Sequence, residues 1–144
     1  MPSVLDNQKS LVATMLKHEE TWDLEAIFAL RTTDFTHNLL PSDIGGPSRN
    51  QDESRQLYET LKPHWKSYKV TKRAEIHDVD EHKAALHTFS SAETDVGHFE
   101  METMWFLNFN EDGTKIKVLT ELVDSRSVAE LFEKIKAQGE QPKA

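Results

Sequence analysis

The hydrophobic pattern of the chain changes its period near residue 68. Before that point, apolar side chains recur at helical spacing. After it, four runs alternate between apolar and polar residues and are separated by turn sequences. Helices followed by a set of neighbouring strands are typical of an α+β fold, in which helices cover one face of an antiparallel sheet. The predicted strands lie at residues 68–78, 84–93, 98–109 and 115–123.

Capping residues divide the helical part into three segments. Asp23 interrupts the first apolar stripe and is a favourable N-cap for a second, shorter helix. The sequence from Asn50 to Glu53 opens a third helix, and Pro63 limits its length. The first two helices are predicted at residues 3–21 and 23–30.

The remaining segments are shorter. Residues 35–40 are predicted to form a short strand, and residues 41–49 a loop, because prolines and glycines interrupt any sustained period there. A last amphipathic helix is expected at residues 127–137, followed by a frayed tail at 139–144. A chain of 144 residues has the usual length of one domain, which we assign to residues 1–144.

Composition limits the possible partners. The chain has 17 Lys and Arg against 25 Asp and Glu, a net charge of −8, so nucleic acid and anionic membranes are not expected to bind. It has no cysteine, which excludes disulfides and thiolate nucleophiles. No apolar run approaches the ~20 residues of a membrane span, and the first residues lack a signal-peptide pattern. We therefore expect an intracellular, cytoplasmic protein without membrane insertion.

The predicted strand at residues 98–109 is apolar on both sides. One alternating set includes Phe99 and Trp105, and the other includes Met104 and Phe106 beside charged residues. A strand that is apolar on both faces usually has protein on both sides. We expect helices to cover one face and a second copy of the chain to cover the other, which predicts a homodimer through the sheet.

Three segments carry a resemblance to a known family. RTTDFTHNLLPSD after two helices, GHFEMETMWFLNFNEDGTKI as a long hairpin and ELVDS before a last helix resemble the SnoaL-like proteins of the NTF2-like superfamily. Within that group the chain looks most like small fungal isomerases and cyclases of meroterpenoid and other secondary-metabolite pathways. The resemblance implies a cone-shaped α+β barrel, in which a curved antiparallel sheet wraps around N-terminal helices and leaves a central cavity. It also implies acid–base chemistry without a metal or an organic cofactor.

The resemblance points to three ionisable residues. His37 stands shortly before a proline, where such proteins often carry a histidine. Glu102 falls in the family's strand pattern of glycine, aromatic residue and glutamate, and Asp124 matches the aspartate of its closing motif. Chemistry of this kind needs a base that takes a proton beside a carbonyl group and an acid that returns one. The resemblance therefore implies a catalytic relay of His37, Glu102 and Asp124.

Each of the three residues also has a purely structural interpretation. His37 would pack beside the loop that follows it, and Glu102 would pair with a lysine across the sheet. Asp124 would cap the final helix, which is a common role for aspartate at that position. Both interpretations stay open for each residue.

Seven further side chains are predicted to bind the substrate. Arg31 either reaches a substrate carbonyl or forms an ion pair with Asp34 after the second helix. The aromatic residues of this set either line the mouth of the cavity or pack in the core. The predicted substrate-binding residues are Arg31, Leu40, Tyr58, Trp65, Tyr68, Met104 and Phe106.

The seven histidines do not form a recognisable metal-binding motif. The sequence contains no HExxH motif and no spacing typical of two histidines and a carboxylate on one face. We therefore expect no metal site.

These observations and the resemblance predict a cofactor-independent isomerase or cyclase. It would act by general acid–base catalysis on a bulky, apolar, oxygenated intermediate of polyketide or meroterpenoid origin, in a fungal secondary-metabolite pathway. Two alternatives stay open. A dehydratase would use the same acid and base but expel water, and a non-catalytic NTF2-like module would use the cavity to hold a small ligand.

Overall fold

The computed structural model describes residues 1–140, which form a five-stranded sheet with helices packed against its inner face. The helices are α1 (Val4–Thr21), α2 (Leu24–Ala29), α3 (Ser42–Gly45), α4 (Gln51–Leu61) and α5 (Ser125–Glu140), with a 3-10 turn at Lys62–His64. The strands are β1 (Arg31–Leu40), β2 (Trp65–Asp78), β3 (Lys83–Thr94), β4 (Gly97–Phe109) and β5 (Ile116–Val123). Within the described residues no helix is both long enough and apolar enough to cross a membrane.

The predicted helix starts at Asp23 and Asn50 are confirmed. The Asp23 carboxylate accepts a hydrogen bond from the backbone N–H of Ala26 at the start of α2. Asn50 and Glu53 form a reciprocal capping box at the start of α4, in which each side chain accepts from the other's backbone N–H. These contacts satisfy donors that the first turn of a helix leaves without partners.

The strand order is β1-β5-β4-β3-β2, and β1 and β2 are the two open edges. The pairs of β2 with β3, β3 with β4 and β4 with β5 are antiparallel, whereas β1 runs parallel to β5. The four later strands thus form the expected antiparallel meander, and β1 joins it in parallel at one edge. The sheet is curved and does not close, so it forms an open cone around the helices.

Strand β1 begins at Arg31 rather than at residue 35. Its first residues include Thr32, Thr33 and Asp34, which are half-buried or exposed and show no apolar alternation. Pairing of Arg31 with Ile116 of β5 holds this polar stretch in the sheet. A strand stabilised by its neighbour in this way gives no local sequence signal.

One end of the inner face is filled by a conventional core. Val12 and Met15 of α1 pack with Phe35, Leu86 and Leu107 of the sheet, and all five are at most 2% exposed. Burial of such side chains stabilises the fold by about 1.5–3 kcal/mol each. The other end of the inner face holds the cavity described below.

Helix α5 is longer than the sequence indicated. It begins at Ser125, immediately after Asp124, and continues to Glu140. Residues 139 and 140 are the last two residues of this helix, and the frayed tail at residues 139–144 stays a prediction. Residues 141–144 lie outside the described part of the chain.

Candidate active site

A cavity lies between the inner face of the sheet and the helices α1, α4 and α5. Its empty volume is about 650 Å³, counting the open solvent at its mouth. Most of its wall is apolar or aromatic, and the acidic and basic side chains in the wall are Glu19, His37 and Glu121. The apolar and aromatic wall residues are Trp22, Leu39, Leu57, Tyr58, Leu61, Trp65, Tyr68, Phe99, Met101, Trp105, Val123, Val128, Leu131 and Phe132.

Alternation along β1 turns His37 toward the cavity. Phe35, His37 and Leu39 are buried on the inner face, and His37 is only 2% exposed. The backbone N–H and C=O of His37 bond to the C=O and N–H of Arg49, each at 2.8 Å. Both ring nitrogens are also occupied: Nδ1 lies 2.9 Å from Ser54 Oγ, and Nε2 lies 3.0 Å from Glu121 Oε1. The imidazole ring is therefore fixed in position and in orientation.

Glu121 reaches the cavity from β5, the strand beside β1. It shares the inner face with Leu119 and Val123, which are both buried. Its side chain keeps 12% of its surface exposed and holds His37 through Oε1. A carboxylate at this position can accept the Nε2–H of the imidazole and take part in proton transfer at the cavity wall.

Glu19 is the most deeply buried carboxyl group of the site. It lies in the last turn of α1 and is 4% exposed. Burial, together with the nearby charge of Glu121, raises the pKa of Glu19 to about 8, although Arg31 and a hydrogen bond from the Tyr58 hydroxyl at 3.2 Å oppose the shift. Glu19 is therefore largely protonated near neutral pH and is able to donate a proton.

Arg31 connects these groups from behind the cavity wall. Its Nη1 donates to Ser54 Oγ at 3.0 Å, and its Nη2 donates to Tyr58 Oη at 3.3 Å. The guanidinium carbon also lies 4.1 Å from the centre of the Phe35 ring and 4.8 Å from that of Phe28. Stacking on aromatic faces favours a buried guanidinium. Arg31 thus places one fixed positive charge near the Glu19 carboxyl group.

The hydrogen bonds of Ser54 favour one tautomer of His37. Ser54 Oγ accepts from Arg31, so its single proton is free to be donated to Nδ1 of His37. The remaining ring proton then lies on Nε2 and is donated to Glu121. In this arrangement one series of hydrogen bonds runs from Arg31 to Ser54, from Ser54 to His37 and from His37 to Glu121.

Four of the residues predicted from the sequence lie in the cavity wall. They are His37, Tyr58, Trp65 and Tyr68. Tyr58 is buried and packs its ring 5.0 Å from that of Trp22, and Trp65 and Tyr68 pack 5.2 Å from each other. Their participation in substrate binding stays a prediction.

Glu102, Met104 and Phe106 do not lie in the cavity. They belong to the alternating set of β4 that faces outward, while Phe99, Met101, Thr103, Trp105, Leu107 and Phe109 face inward. The Glu102 side chain is 68% exposed and pairs with His87 at 2.8 Å, not with a lysine. The prediction that these three residues lie in the cavity was therefore wrong. Both alternating sets of the strand contain large apolar residues, so the sequence did not show which set faces inward.

Leu40 and Arg31 also lie elsewhere than expected, and Asp124 takes the capping role that was one of its two interpretations. Leu40 points to the outer face, and its neighbour Leu39 lines the cavity instead. The exposed carboxylate of Asp124 accepts from the backbone N–H groups of Arg126 and Ser127 at 3.1 and 3.3 Å, so it caps α5. Arg31 is buried behind the wall, and the expected ion pair with Asp34 is absent from the described contacts, because Asp34 bonds Thr32 instead.

The sequence reasoning missed Glu19, Ser54 and Glu121. Glu19 continues the buried stripe of α1, four residues after Met15, and Glu121 alternates with Leu119 and Val123. The periods of the helix and the strand therefore contained a signal for both glutamates. Ser54 similarly precedes Tyr58 by one turn on the buried side of α4. Charged and polar residues at such positions are usually assumed to face solvent, and here they do not.

Within residues 1–140, no three His, Cys, Asp or Glu side chains are grouped closely enough to hold a metal ion.

Comparison with known proteins finds clear fungal relatives, although no protein-family model matches the chain. Monooxygenase dmxR10 of a Cryptosporiopsis species is 33% identical over 136 residues, which cover 93% of this chain and 91% of the relative. Monooxygenase AgnL5 of Paecilomyces divaricatus is 32% identical over 130 residues, which cover 90% and 81%. A protein of Claviceps purpurea named ergochrome gene cluster protein is 27% identical over 125 residues, which cover 87% and 82%.

Experimental structures with the same fold come from fungi and bacteria. PrhC from Penicillium brasilianum has a TM-score of 0.88 and 21% identity, over 95% of this chain and 93% of that protein. The BvnE pinacolase from Penicillium brevicompactum has a TM-score of 0.87 and 24% identity, over 95% and 96%. A protein of Shewanella denitrificans described as a SnoaL-like polyketide cyclase has a TM-score of 0.72 and 7% identity, over 88% and 96%. The chain thus belongs to the fungal family that includes dmxR10 and AgnL5, and its fold is that of the SnoaL-like proteins of the NTF2-like superfamily.

Proposed function

We propose that the chain is a cofactor-independent isomerase or cyclase, which works by general acid–base catalysis on an apolar, oxygenated natural-product intermediate. The observation that carries this proposal is the pair of carboxyl groups in the cavity: Glu19 is buried with a pKa of about 8, and Glu121 is held by His37. Two titratable groups with different environments in one apolar cavity are typical of acid–base sites.

Each group has a distinct part in the reaction. Glu121, oriented by His37, takes a proton from a carbon beside a carbonyl group of the substrate, and Glu19 gives a proton to a second atom. One proton leaves and one returns, so the composition of the substrate is unchanged. At the end of this step Glu121 holds the abstracted proton and Glu19 is ionised. Glu121 then releases its proton to solvent, and Glu19, whose ionised form burial disfavours, takes one up, so both groups return to their starting states. The positive charge of Arg31 remains nearby throughout and limits the repulsion between the two carboxyl groups.

The apolar and aromatic wall supports a substrate that is largely apolar. The origin of its relatives in fungi, including an ergochrome gene cluster protein, supports a role in secondary metabolism. The pinacolase BvnE, which shares the fold, supports a rearrangement of an oxygenated carbon skeleton. Polyketide and meroterpenoid intermediates are therefore the substrates that we propose.

Monooxygenation is the second candidate, because dmxR10 and AgnL5 are both named monooxygenases. The mass of the product distinguishes the candidates when the purified chain is incubated with intermediates of fungal polyketide and meroterpenoid pathways. Isomerisation or cyclisation leaves the mass unchanged, dehydration removes one water and monooxygenation adds one oxygen atom. A product of unchanged mass supports the proposal. A product with added oxygen, accompanied by oxygen consumption, or tight binding without any product would contradict it.

The outer face of the sheet supports a homodimer. An exposed apolar patch, called here the outer patch, crosses β1, β5 and β4 and consists of Leu40, Leu122, Met104 and Phe106. Leu122 pairs with both Leu40 and Met104, and the four side chains are 36–47% exposed. A contiguous apolar patch on a sheet is typical of a protein interface. We therefore propose that a second copy of the chain covers the outer patch.

A further inference from the structure

Trp22 occupies an unusual position at the end of α1. It caps the helix in the left-handed region, with φ 50° and ψ 37°, where glycine or asparagine is the ordinary residue. A bulky side chain in this region is strained, and such strain persists mainly at functional sites. The side chain is nevertheless 7% exposed and lines the cavity, one helical turn beyond Glu19.

The indole N–H of Trp22 is a buried donor without an acceptor among residues 1–140. Its ring lies at the centre of an aromatic group, with ring centres 5.0 Å from Tyr58, 5.2 Å from Trp65 and 5.5 Å from Tyr68. The Nε1 atom of Trp65, in the same wall, is likewise buried without an acceptor in the described part of the chain. A buried donor that lacks a partner costs free energy, so each of these groups calls for an explanation.

Trp105 provides the contrast. It lines the same cavity, but its Nε1 atom donates to Thr88 Oγ1 at 2.7 Å. The fold therefore satisfies one indole donor of the cavity wall internally and leaves two without internal acceptors.

We infer that the indole N–H of Trp22, with that of Trp65 beside it, binds an acceptor oxygen on a flat, apolar body of the substrate. The aromatic rings around Trp22 would stack against that body, while the N–H selects molecules that carry a carbonyl or similar oxygen. The recognised oxygen belongs to the substrate of the proposed function, so the inference rests on that function. Its test measures binding, so it is separable from a test of proton transfer.

The test uses 1-tetralone, a flat bicyclic ketone, and tetralin, which has the same rings without the oxygen. In protein labelled with ¹⁵N, each of the three tryptophans gives one indole N–H signal, and W22F, W65F and W105F assign them. We expect 1-tetralone to move the indole proton signal of Trp22 downfield, because formation of a hydrogen bond has this effect. Tetralin, which has no oxygen, should not produce this downfield shift.

Affinities of the variants provide a second readout. W22F keeps an aromatic ring and removes the donor, so the preference for 1-tetralone over tetralin should fall about tenfold. W65F should change the preference in the same direction, whereas W105F should leave it within about twofold. An unmoved Trp22 signal, an unchanged preference in W22F, or failure of wild-type protein to bind 1-tetralone would each overturn the inference. The signal shift in wild-type protein decides the matter even if W22F does not fold.

Discussion

The Nε2 atom of His37 lies 3.0 Å from Oε1 of Glu121, and the two side chains come from neighbouring parallel strands at the edge of the sheet. Glu121 pairs in register with Leu39, two residues after His37, so the common inward face of both strands brings the two groups together. Ser54 holds the opposite side of the imidazole, and Arg31 holds Ser54. The pair is thus fixed from two sides before any substrate binds.

Because His37 and Glu121 are in direct contact, they should act as one unit in catalysis. H37N and E121Q should each lower turnover by about 10²–10⁴-fold, and the double variant should be little slower than either single variant. Steady-state kinetics on the substrate identified by product mass would measure this coupling. E102Q, which changes a glutamate on the outer face, serves as the control and should keep wild-type turnover. If the loss of turnover in the double variant equals the product of the losses in H37N and E121Q, the two residues do not act as one unit.

Glu19 should make the stability of the fold depend on pH. Its pKa is about 8 in the folded chain and near 4.5 when exposed, so between these values the folded state holds a proton that the unfolded state releases. The stabilisation is therefore complete below pH 4.5 and is lost as pH rises through about 8. E19Q removes this titration, so the stability of wild-type protein relative to E19Q should fall between pH 5 and 8.

Urea unfolding at pH 5 and pH 8 would measure this difference. E59Q changes an exposed glutamate of α4 and should follow the wild-type dependence on pH. Equal dependence in wild type and E19Q would show that Glu19 titrates normally.

Arg31 should be sensitive even to a conservative change. Its guanidinium donates to Ser54 and Tyr58 while it stacks on Phe35, and a lysine cannot make this planar set of contacts. R31K should lower the free energy of unfolding by about 1–3 kcal/mol. R126K, which changes an arginine whose side chain is 88% exposed, should alter it by less than about 0.5 kcal/mol. If chemical denaturation gives equal stabilities for R31K and wild type, the network around Arg31 is not formed as described.

The outer patch should control self-association. F106D introduces a charge within it and should shift the chain from dimer toward monomer, because burying an unpaired carboxylate between two copies is unfavourable. Analytical ultracentrifugation over a range of concentrations measures the shift. Q56D adds the same charge on the exposed side of α4 and should leave the dimer intact. A wild-type chain that remains monomeric, or an F106D dimer as stable as wild type, would contradict the proposed interface.

Local sequence signals predicted much of the fold. Asp23 and Asn50 marked helix starts because their side chains satisfy the first backbone donors of a helix, and the alternating runs predicted four strands. His37 was recognisable because it stands shortly before a proline, as the histidine of the resembling family does. These features depend on residues close together in sequence.

The rest of the site depends on contacts between distant segments. In β4 both alternating sets contain large apolar residues, so sequence alone could not decide that Trp105 faces the cavity and Met104 faces outward. Arg31 was equally ambiguous, since its partners Ser54 and Tyr58 come from a later helix. The raised pKa of Glu19 results from burial in the assembled fold and has no local signature.

Exchange of carbon-bound hydrogen reports on proton abstraction by Glu121 and needs no knowledge of the natural substrate. In D₂O near neutral pH, a base in the cavity should catalyse replacement of the hydrogens beside the carbonyl of 1-tetralone by deuterium, measured by proton NMR. We expect wild-type protein and E102Q to accelerate this exchange by at least about 100-fold over buffer, and E121Q to lose the acceleration. If bound 1-tetralone exchanges no faster than in buffer, or if E121Q is as active as wild type, Glu121 is not a base in the cavity.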